Sequence, residues 1–427
     1  SLAKRRGFIF PGSEIYGGLA GTWDYGPLGV ELKNNIKQSW WRIFVTSRDD
    51  IFGIDSAILM NSEVWIASGH KNSFVDPMVD CRKCKSRFRA DKIDIKKGCP
   101  ECQAYDFTEA RSFNMMFKTH AGPVEDTASE VYLRPETAQG MFVNFKNILD
   151  TMRPKLPFGL AQIGKAFRNE ITPGNFIFRT REFEQMEIEY FIRKEKWKEY
   201  FEDWLNQMQK WAEFLGLPRL KEREVSAGER AHYSERTVDL DFHFPFGQEE
   251  LYGLAYRADF DLKNHAEFSG EILEFLDLES DKVVTPHIVP HVIEPTFGVD
   301  RTILAVLVNA YQEDEDKDRV VLKFNPEIAP VKAAVFPLLA NKPELVDKAQ
   351  LIFRDLKMTG LNITWDDRGN IGKRYYAQDE IGTPWCVTVD YETLENNTVT
   401  VRDRDTMKQE RVSGKELATY FNSKLHV

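Results

Sequence analysis

Four of the five cysteines stand in two tight pairs, Cys81-x-x-Cys84 and Cys99-Pro-Glu-Cys102, with fourteen residues between them. Each such knuckle can present two thiolates to one metal ion, and two knuckles complete the tetrahedron that zinc prefers. Iron in a rubredoxin-like site fits the same spacing, and four reduced structural thiols are the plain alternative. Four protein ligands leave no coordination position open, so a metal here is expected to be structural rather than catalytic. An odd cysteine total arranged this way makes a poor disulfide framework. The fifth, Cys386, lies in the apolar run Trp385–Val389 and is expected to be a buried thiol.

A second group of reactive types is built from arginine and carboxylate. In Leu160–Glu170, alternation as a strand puts Gln162, Arg168 and Glu170 on one face. A loop with Arg179 and Arg181 follows, and the chain returns as Phe183–Ile192. There Phe183, Gln185, Glu187 and Glu189 share one face, while Met186, Ile188, Tyr190 and Ile192 take the other. Paired as a hairpin, these strands carry an arginine, several carboxylates and an exposed aromatic on one surface, with two more arginines at the rim. The bland alternative is the solvated outer face of a sheet. An exposed Phe183 among charges favours a binding surface, because a solvated face should be polar there.

A third element is Val292–Arg301, read as a strand ending at Glu294 and then an apolar helix to about Tyr311. Arg301 would fall in the first turn, where a cation opposes the helix dipole. That position makes sense if the guanidinium and the free helical N–H groups face an anion such as a phosphate. A simple ion pair with a neighbouring carboxylate is the alternative.

The elements that must position these residues are of two kinds. Up to about residue 325, period-2 segments separated by short loops indicate an antiparallel sheet with helices attached. One strong helix is expected from about Glu195 to Leu215, with Trp197, Phe201, Trp204, Met208, Trp211 and Leu215 forming a core-facing stripe and Gly216 as the stop. The charge run Gln312–Arg319 reads as a solvated linker. Beyond it come a strand at Val331–Phe336, a helix at Pro343–Met358, a strand at Asn362–Trp365, a glycine-containing loop and a strand at Trp385–Val389. Such alternation indicates a small α/β domain of roughly 100 residues.

Composition sets the outer bounds. With 427 residues, 42% of them hydrophobic, and with 30 Phe and 9 Trp, the chain can bury two or three cores. No apolar run reaches the 18 residues a membrane helix needs. The basic start, Ser1–Arg6, leads into too short an apolar stretch for a signal peptide, so a cytosolic location is expected. A net charge of −10 disfavours a whole-surface polyanion binder, yet a local basic patch could still hold an RNA.

Phe167–Glu170 with its loop resembles motif 2 of class II aminoacyl-tRNA synthetases, and Gly298–Arg301 resembles motif 3. The segments Trp23–Gly29, Leu133–Gly140, Phe178–Phe183, Phe183–Glu187 and Glu294–Gly298 are similar to glycyl-tRNA synthetases of the homodimeric type. Thr398–Arg404 resembles that family's anticodon-binding module. The resemblance implies an α+β architecture: a class II antiparallel-sheet catalytic core over 1–325, carrying a zinc-ribbon-like insert at 78–105, then an α/β anticodon-binding domain over 326–427. It also implies activation of glycine with ATP to glycyl-adenylate and pyrophosphate, followed by transfer to the 3′ end of tRNA(Gly), in a homodimer without membrane attachment.

By the same resemblance, Arg168 holds the α-phosphate and Arg301 the γ-phosphate. Phe183 stacks on adenine, and Asn169, Glu170, Phe178, Arg179, Thr180, Arg181 and Glu182 line the nucleotide with Leu251, Gly298, Val299 and Asp300. Glu250 is the candidate ligand for Mg²⁺, a hard cation that bridges phosphate oxygens. Glu136, Glu187 and Glu294 read the amino group of glycine. Thr296 walls its α-carbon, and Arg89, Glu184, Gln185, Met186, Pro295 and Phe297 complete the pocket. On sequence grounds alone Glu250 reads as a surface acid and Glu136 as an acid in a first helical turn after Pro135. No side chain need be a nucleophile, because the attacking carboxylate is already an anion and positioning suffices. No editing domain is expected, since alanine is larger than glycine and a steric wall excludes it. Relatives of this kind often carry a longer insert near Asp91–Lys97. Two rival readings remain: a class II enzyme for proline, threonine or histidine, and a non-catalytic nucleic-acid-binding relative, which would lack the two phosphate arginines.

Overall fold

The computed structural model describes residues 1–126, 129–276 and 287–425. Its centre is a seven-stranded sheet made of Ile51–Gly53 (β1), Phe158–Phe167 (β2), Glu182–Ile192 (β3), Lys221–Glu224 (β4), Arg236–Phe244 (β5), Gly247–Ala258 (β6) and His291–Gly298 (β7). The spatial order is β4-β5-β6-β7-β3-β2-β1. Every pairing is antiparallel except β1 with β2. The expected hairpin is present: Gln185 lies opposite Gly164 and Glu187 opposite Gln162.

Alternation along β3 decides which face is core. Met186, Ile188, Tyr190 and Ile192 point to one side, where they meet Ile293 and Phe297 of β7 and Tyr252, Leu254 and Tyr256 of β6. Three helices cover this face: Pro27–Trp41 (α1), Trp197–Phe214 (α3) and Val299–Ala310 (α5). The aromatic stripe of α3 is fully used, with Phe201, Trp204, Met208 and Trp211 buried. At about 25 cal/mol per Å² of apolar area, each such side chain contributes roughly 2–3 kcal/mol. Trp211 Nε1 finds Tyr252 Oη at 3.1 Å, which satisfies an indole that would otherwise be buried without a partner.

The opposite face carries the polar residues and is not solvated. The short helix Ala138–Phe142 (α2) and the helix Phe260–Ser269 (α4) cover half of it. Gln185, Glu187 and Glu189 are therefore all buried.

Four details of the sequence reading are corrected. Glu294 sits in the middle of β7, not at its end, and Glu136 precedes α2, whose N-cap is Thr137. The charge run Gln312–Arg319 belongs to a hairpin, Tyr311–Asp314 with Arg319–Leu322, instead of a free linker. Arg319 is buried there and donates to Asp379 Oδ2 at 2.8 Å. The expected glycine loop after Trp365 contains a helix, Ile371–Asp379, capped by Asn370.

The C-terminal unit is a five-stranded sheet of Ala333–Pro337 (β8), Ile363–Trp365 (β9), Trp385–Val389 (β10), Thr398–Asp403 (β11) and Gln409–Ser413 (β12), ordered β9-β8-β10-β11-β12. The first three strands are parallel and the last two antiparallel. The helix Pro343–Lys357 follows β8, as expected, and Cys386 is buried on β10.

Candidate active site

Between the open end of the sheet and the loop that joins β2 to β3 lies a cavity of about 320 Å³. Arg168, Phe183, Arg301 and Glu250 all line it, together with Arg89, Glu170 and Arg179. Arg168 follows β2 directly and keeps the face set by Gln162, so its guanidinium lies 5.3 Å from the Phe183 ring. Its Nε donates to the Pro135 carbonyl at 3.1 Å, which leaves the rest of the fork facing the cavity. Arg301 is the third residue of α5. It lies 4.2 Å over the Phe178 ring and donates to the Glu250 carbonyl at 2.9 Å and its carboxylate at 3.1 Å. Arg301 thus satisfies both readings: it faces the cavity and is paired.

Glu250 reaches this face through a backbone irregularity. Tyr252 pairs with Leu240 and Glu250 with Asp241, so Leu251 is an extra residue in β6. A bulge of this type turns two nearby side chains to one side. Leu251 and Tyr252 both enter the core, while Glu250 faces the cavity and Gly253 lies on the side of its carboxylate. Burial would raise the Glu250 pKa, but the Arg301 charge and hydrogen bond outweigh it and hold the carboxylate below its ordinary range.

Deeper under α2 and α4 the site becomes acidic. Glu187 accepts from Thr296 Oγ1 at 2.8 Å, from Thr137 Oγ1 and from Gln185 Nε2 at 3.4 Å. Glu294 accepts from Arg257 at 2.6 Å, and Arg257 grips Asp261 with two bonds of 2.7 and 2.8 Å. The Tyr233 ring lies 3.6 Å from the same guanidinium. Glu136 takes Gln139 Nε2 at 3.0 Å and faces His70 Nε2 at 3.2 Å. Burial pushes Glu294 well above the usual carboxylate range and raises Glu187; neighbouring acids add to both. Burial acts in the same direction on Glu136, but His70 and Arg257 override it and hold that group low.

The structure brings together most residues named from the sequence and separates others. Phe178, Thr180, Glu184, Gln185, Leu251, Thr296, Gly298 and Asp300 also line the cavity. Met186, Phe297 and Val299 are in the hydrophobic core, and Pro295 shares the core face of β7 by alternation, so these can offer only backbone; Leu251 belongs to the core cluster and also borders the cavity. The Glu184 carboxylate is held by Lys33 at 2.7 Å and Lys37 at 2.6 Å of α1, on the core side of the strand. Glu182 is exposed and paired with Lys165. Arg181 turns back to the Ala20 and Glu170 carbonyls. Asn169 donates its backbone N–H to Met115 O at 2.7 Å. Asp300 accepts from Tyr25 and from the Glu184 N–H, locking α5 to β3. Arg257, Thr137, Tyr233 and His70 went unnoticed in the sequence, although an arginine inside the apolar run Leu254–Ala258 is a buried-charge signal.

The cysteine quartet lies in a three-stranded insert, Val75–Asp80, Arg87–Arg89 and Arg111–Asn114. No disulfide is formed. Cys81 Sγ lies 3.6 Å from Cys102 Sγ, Cys84 Sγ lies 3.6 Å from Cys99 Sγ, and all four sulfurs are within 4.8 Å of one another. A tetrahedron with metal–sulfur arms of about 2.3 Å has edges of roughly 3.8 Å, so the quartet fits a tetrahedral thiolate centre. Arg89 extends from this insert to the cavity, tied to Asp76 at 2.6 Å and Asp91 at 2.8 Å.

Comparison with known proteins decides the family. Residues 117–310 match the model of the class II tRNA synthetase core domain (G, H, P, S and T), and residues 332–424 match that of the anticodon binding domain. A glycine–tRNA ligase of Caldanaerobacter subterraneus is 52% identical over 100% of this chain and 97% of its own length. That of Geobacillus kaustophilus is 50% identical over 99% and 97%. The chain belongs to the glycine–tRNA ligase family.

This ligase therefore joins glycine to tRNA with ATP, through glycyl-adenylate. Its class II core and anticodon-binding domain are those expected from the sequence. Prolyl-tRNA synthetase from Cryptosporidium parvum, solved with halofuginone and AMPPNP, superposes with a TM-score of 0.67 at 16% identity, covering 99% of this chain and 74% of that one. That likeness is one of fold. Among the described residues no helix is long and apolar enough to cross a membrane.

Proposed function

We propose that ATP lies folded in the 320 Å³ cavity with its adenine on Phe183, its α-phosphate at Arg168 and its γ-phosphate at Arg301. The observation that carries this is the opening of both guanidiniums onto one cavity, with the aromatic ring beside Arg168. Arginine forks suit phosphate oxygens, and the N-terminus of α5 adds its own positive end. Glu250, kept ionised by Arg301, would hold Mg²⁺, which neutralises phosphate charge as pyrophosphate leaves.

Glycine enters the acidic end. Glu136, Glu187 and Glu294 receive its ammonium, and Thr296, fixed by its bond to Glu187, closes the space a methyl group would need. The carboxylate then points to Arg168, where charge develops in the attack on the α-phosphate. The cysteine quartet would hold a zinc ion, which fixes the insert and so the position of Arg89. Residues 1–325 act as catalytic core and 326–427 as anticodon reader. The five unpaired cysteines suit a reducing cytosol. The exposed Ile15, Tyr16 and Leu19, in the loop ahead of Trp23, offer apolar area for a second copy in a homodimer; sedimentation as a monomer at micromolar concentration would refute that part.

The central test is ATP–pyrophosphate exchange. Arg168→Ala is expected to lower glycine-dependent exchange on the order of 10²–10³-fold, as for one lost transition-state donor. A near-wild-type rate would overturn the phosphate assignment, and exchange driven by proline instead of glycine would overturn the amino-acid assignment.

A further inference from the structure

Glu189 is an acid of the polar face with no part in the roles proposed for ATP and glycine. It stands on β3 two residues beyond Glu187, and its side chain is completely buried. Neither of its carboxylate oxygens has a hydrogen-bond partner. Its oxygens, those of Glu187 and those of Glu294 lie within 4.8 Å of one another. The Arg257 charge acts on it through space, but that guanidinium is already committed to Asp261 and Glu294. A bare carboxylate without donors in such a place would cost several kcal/mol, so the group must be neutral or meet a cation.

We infer that Glu189 is a positioning residue that shares one proton with Glu294 while the pocket is empty and gives it up to solvent when the ammonium of glycine enters. This deepens the reading of the acidic end as the glycine pocket and rests on it. The groups that face Glu189 all bear on the balance. From β3 there is Glu187, from β7 Glu294, from β6 Arg257 and from α4 Asp261, while Glu136, before α2, acts on Glu294. Three of the four groups that act on Glu189 are acids and one is a cation, so the shared proton keeps the empty pocket from accumulating anions. Burial, then Glu294, drives the Glu189 pKa well above its ordinary value, in the same direction. Arrival of a positive ligand reverses the balance: an ammonium within contact of Glu294 favours the charged form, and the proton leaves. The stoichiometry is one proton out for one glycine in, with no bond made or broken elsewhere.

Linkage gives the sign. If binding releases a proton, glycine affinity rises with pH, by at most about tenfold per pH unit. The measurement is calorimetric titration of glycine into the intact enzyme, in buffers of different ionisation enthalpy, at intervals between about pH 6 and pH 8.5. Wild type is expected to release up to one proton per site, and Glu189→Gln, which is neutral and nearly isosteric, to release none and to bind glycine with little pH dependence. Absence of proton release from the wild-type enzyme across the range would overturn the inference whether or not the variant folds. Equal release from both proteins would overturn it too, by placing the proton elsewhere. Tighter binding of a divalent metal ion alone than of glycine at these three acids, measured in the same way, would also overturn it. The underlying pocket assignment is tested separately: Glu187→Gln should weaken glycine binding at every pH, and if it does not, the pocket reading itself fails.

Discussion

The two ends of the active-site sheet solve opposite problems. At the end proposed for the nucleotide, Arg168, Arg179 and Arg301 are partly exposed and rest on aromatic rings, backbone carbonyls or single carboxylates. At the end proposed for glycine, Glu187, Glu294, Arg257 and Asp261 are buried and joined by hydrogen bonds and ion pairs, with Glu189 buried and unpartnered beside them. A large ligand brings its own shape and charge, so the protein needs only a few well-placed cations. The smallest amino acid brings an ammonium and a carboxylate, so the protein must supply the walls and fix them beforehand. Changes at the buried end should therefore threaten the fold, and changes at the open end should threaten the rate.

The largest effect is expected from Arg257→Met, which strands Asp261 and Glu294. Loss of one partner from a buried network costs about 3–5 kcal/mol of stability, measurable by urea unfolding. An unaltered midpoint would break the comparison. Arg301→Ala should lower exchange on the order of 10²–10³-fold with an unchanged unfolding midpoint, and a parallel loss of stability would blur the two ends into one. Thr296→Gly should admit alanine, narrowing the preference for glycine by roughly 10–200-fold in relative kcat/KM. Phe183→Ala should raise the KM for ATP by about tenfold through loss of base stacking, with the KM for glycine little changed. The smallest effect concerns pH. Glu250 stays ionised, so the KM for ATP should be nearly flat between about pH 6 and pH 8, while that for glycine falls.

How much of this could be read beforehand follows the same divide. The β2–β3 hairpin obeys strict alternation, so Arg168, Phe183 and Glu187 could be placed on one face from spacing alone. Glu250 and Arg257 could not, because each lies beside a register shift in β6 that breaks the two-residue period. Family likeness supplied Glu250, and nothing supplied Arg257. Alternation indicated a binding surface carrying an aromatic, an arginine and acids, but not that α2 and α4 bury the acids, a tertiary event that alternation does not encode. Met186, Phe297, Leu251 and Val299 fell within recognised motifs, but their side chains serve the core. A motif marks a stretch of backbone, and only every second residue of it faces the ligand. Gln312–Arg319 was misread because a run of charges looks alike whether it is solvated or, like Arg319, paired with a buried acid.

That buried acid has a mechanical meaning. Asp379, on the helix before β10, receives Arg319 from the hairpin that ends the catalytic body and Arg402 from β11. Arg404 reaches back to the Phe324 carbonyl at 2.7 Å. Together these bonds tie the C-terminal unit to the end of the catalytic body through a buried group, so a change at Asp379 would strand two arginines at once and loosen the seam from both sides.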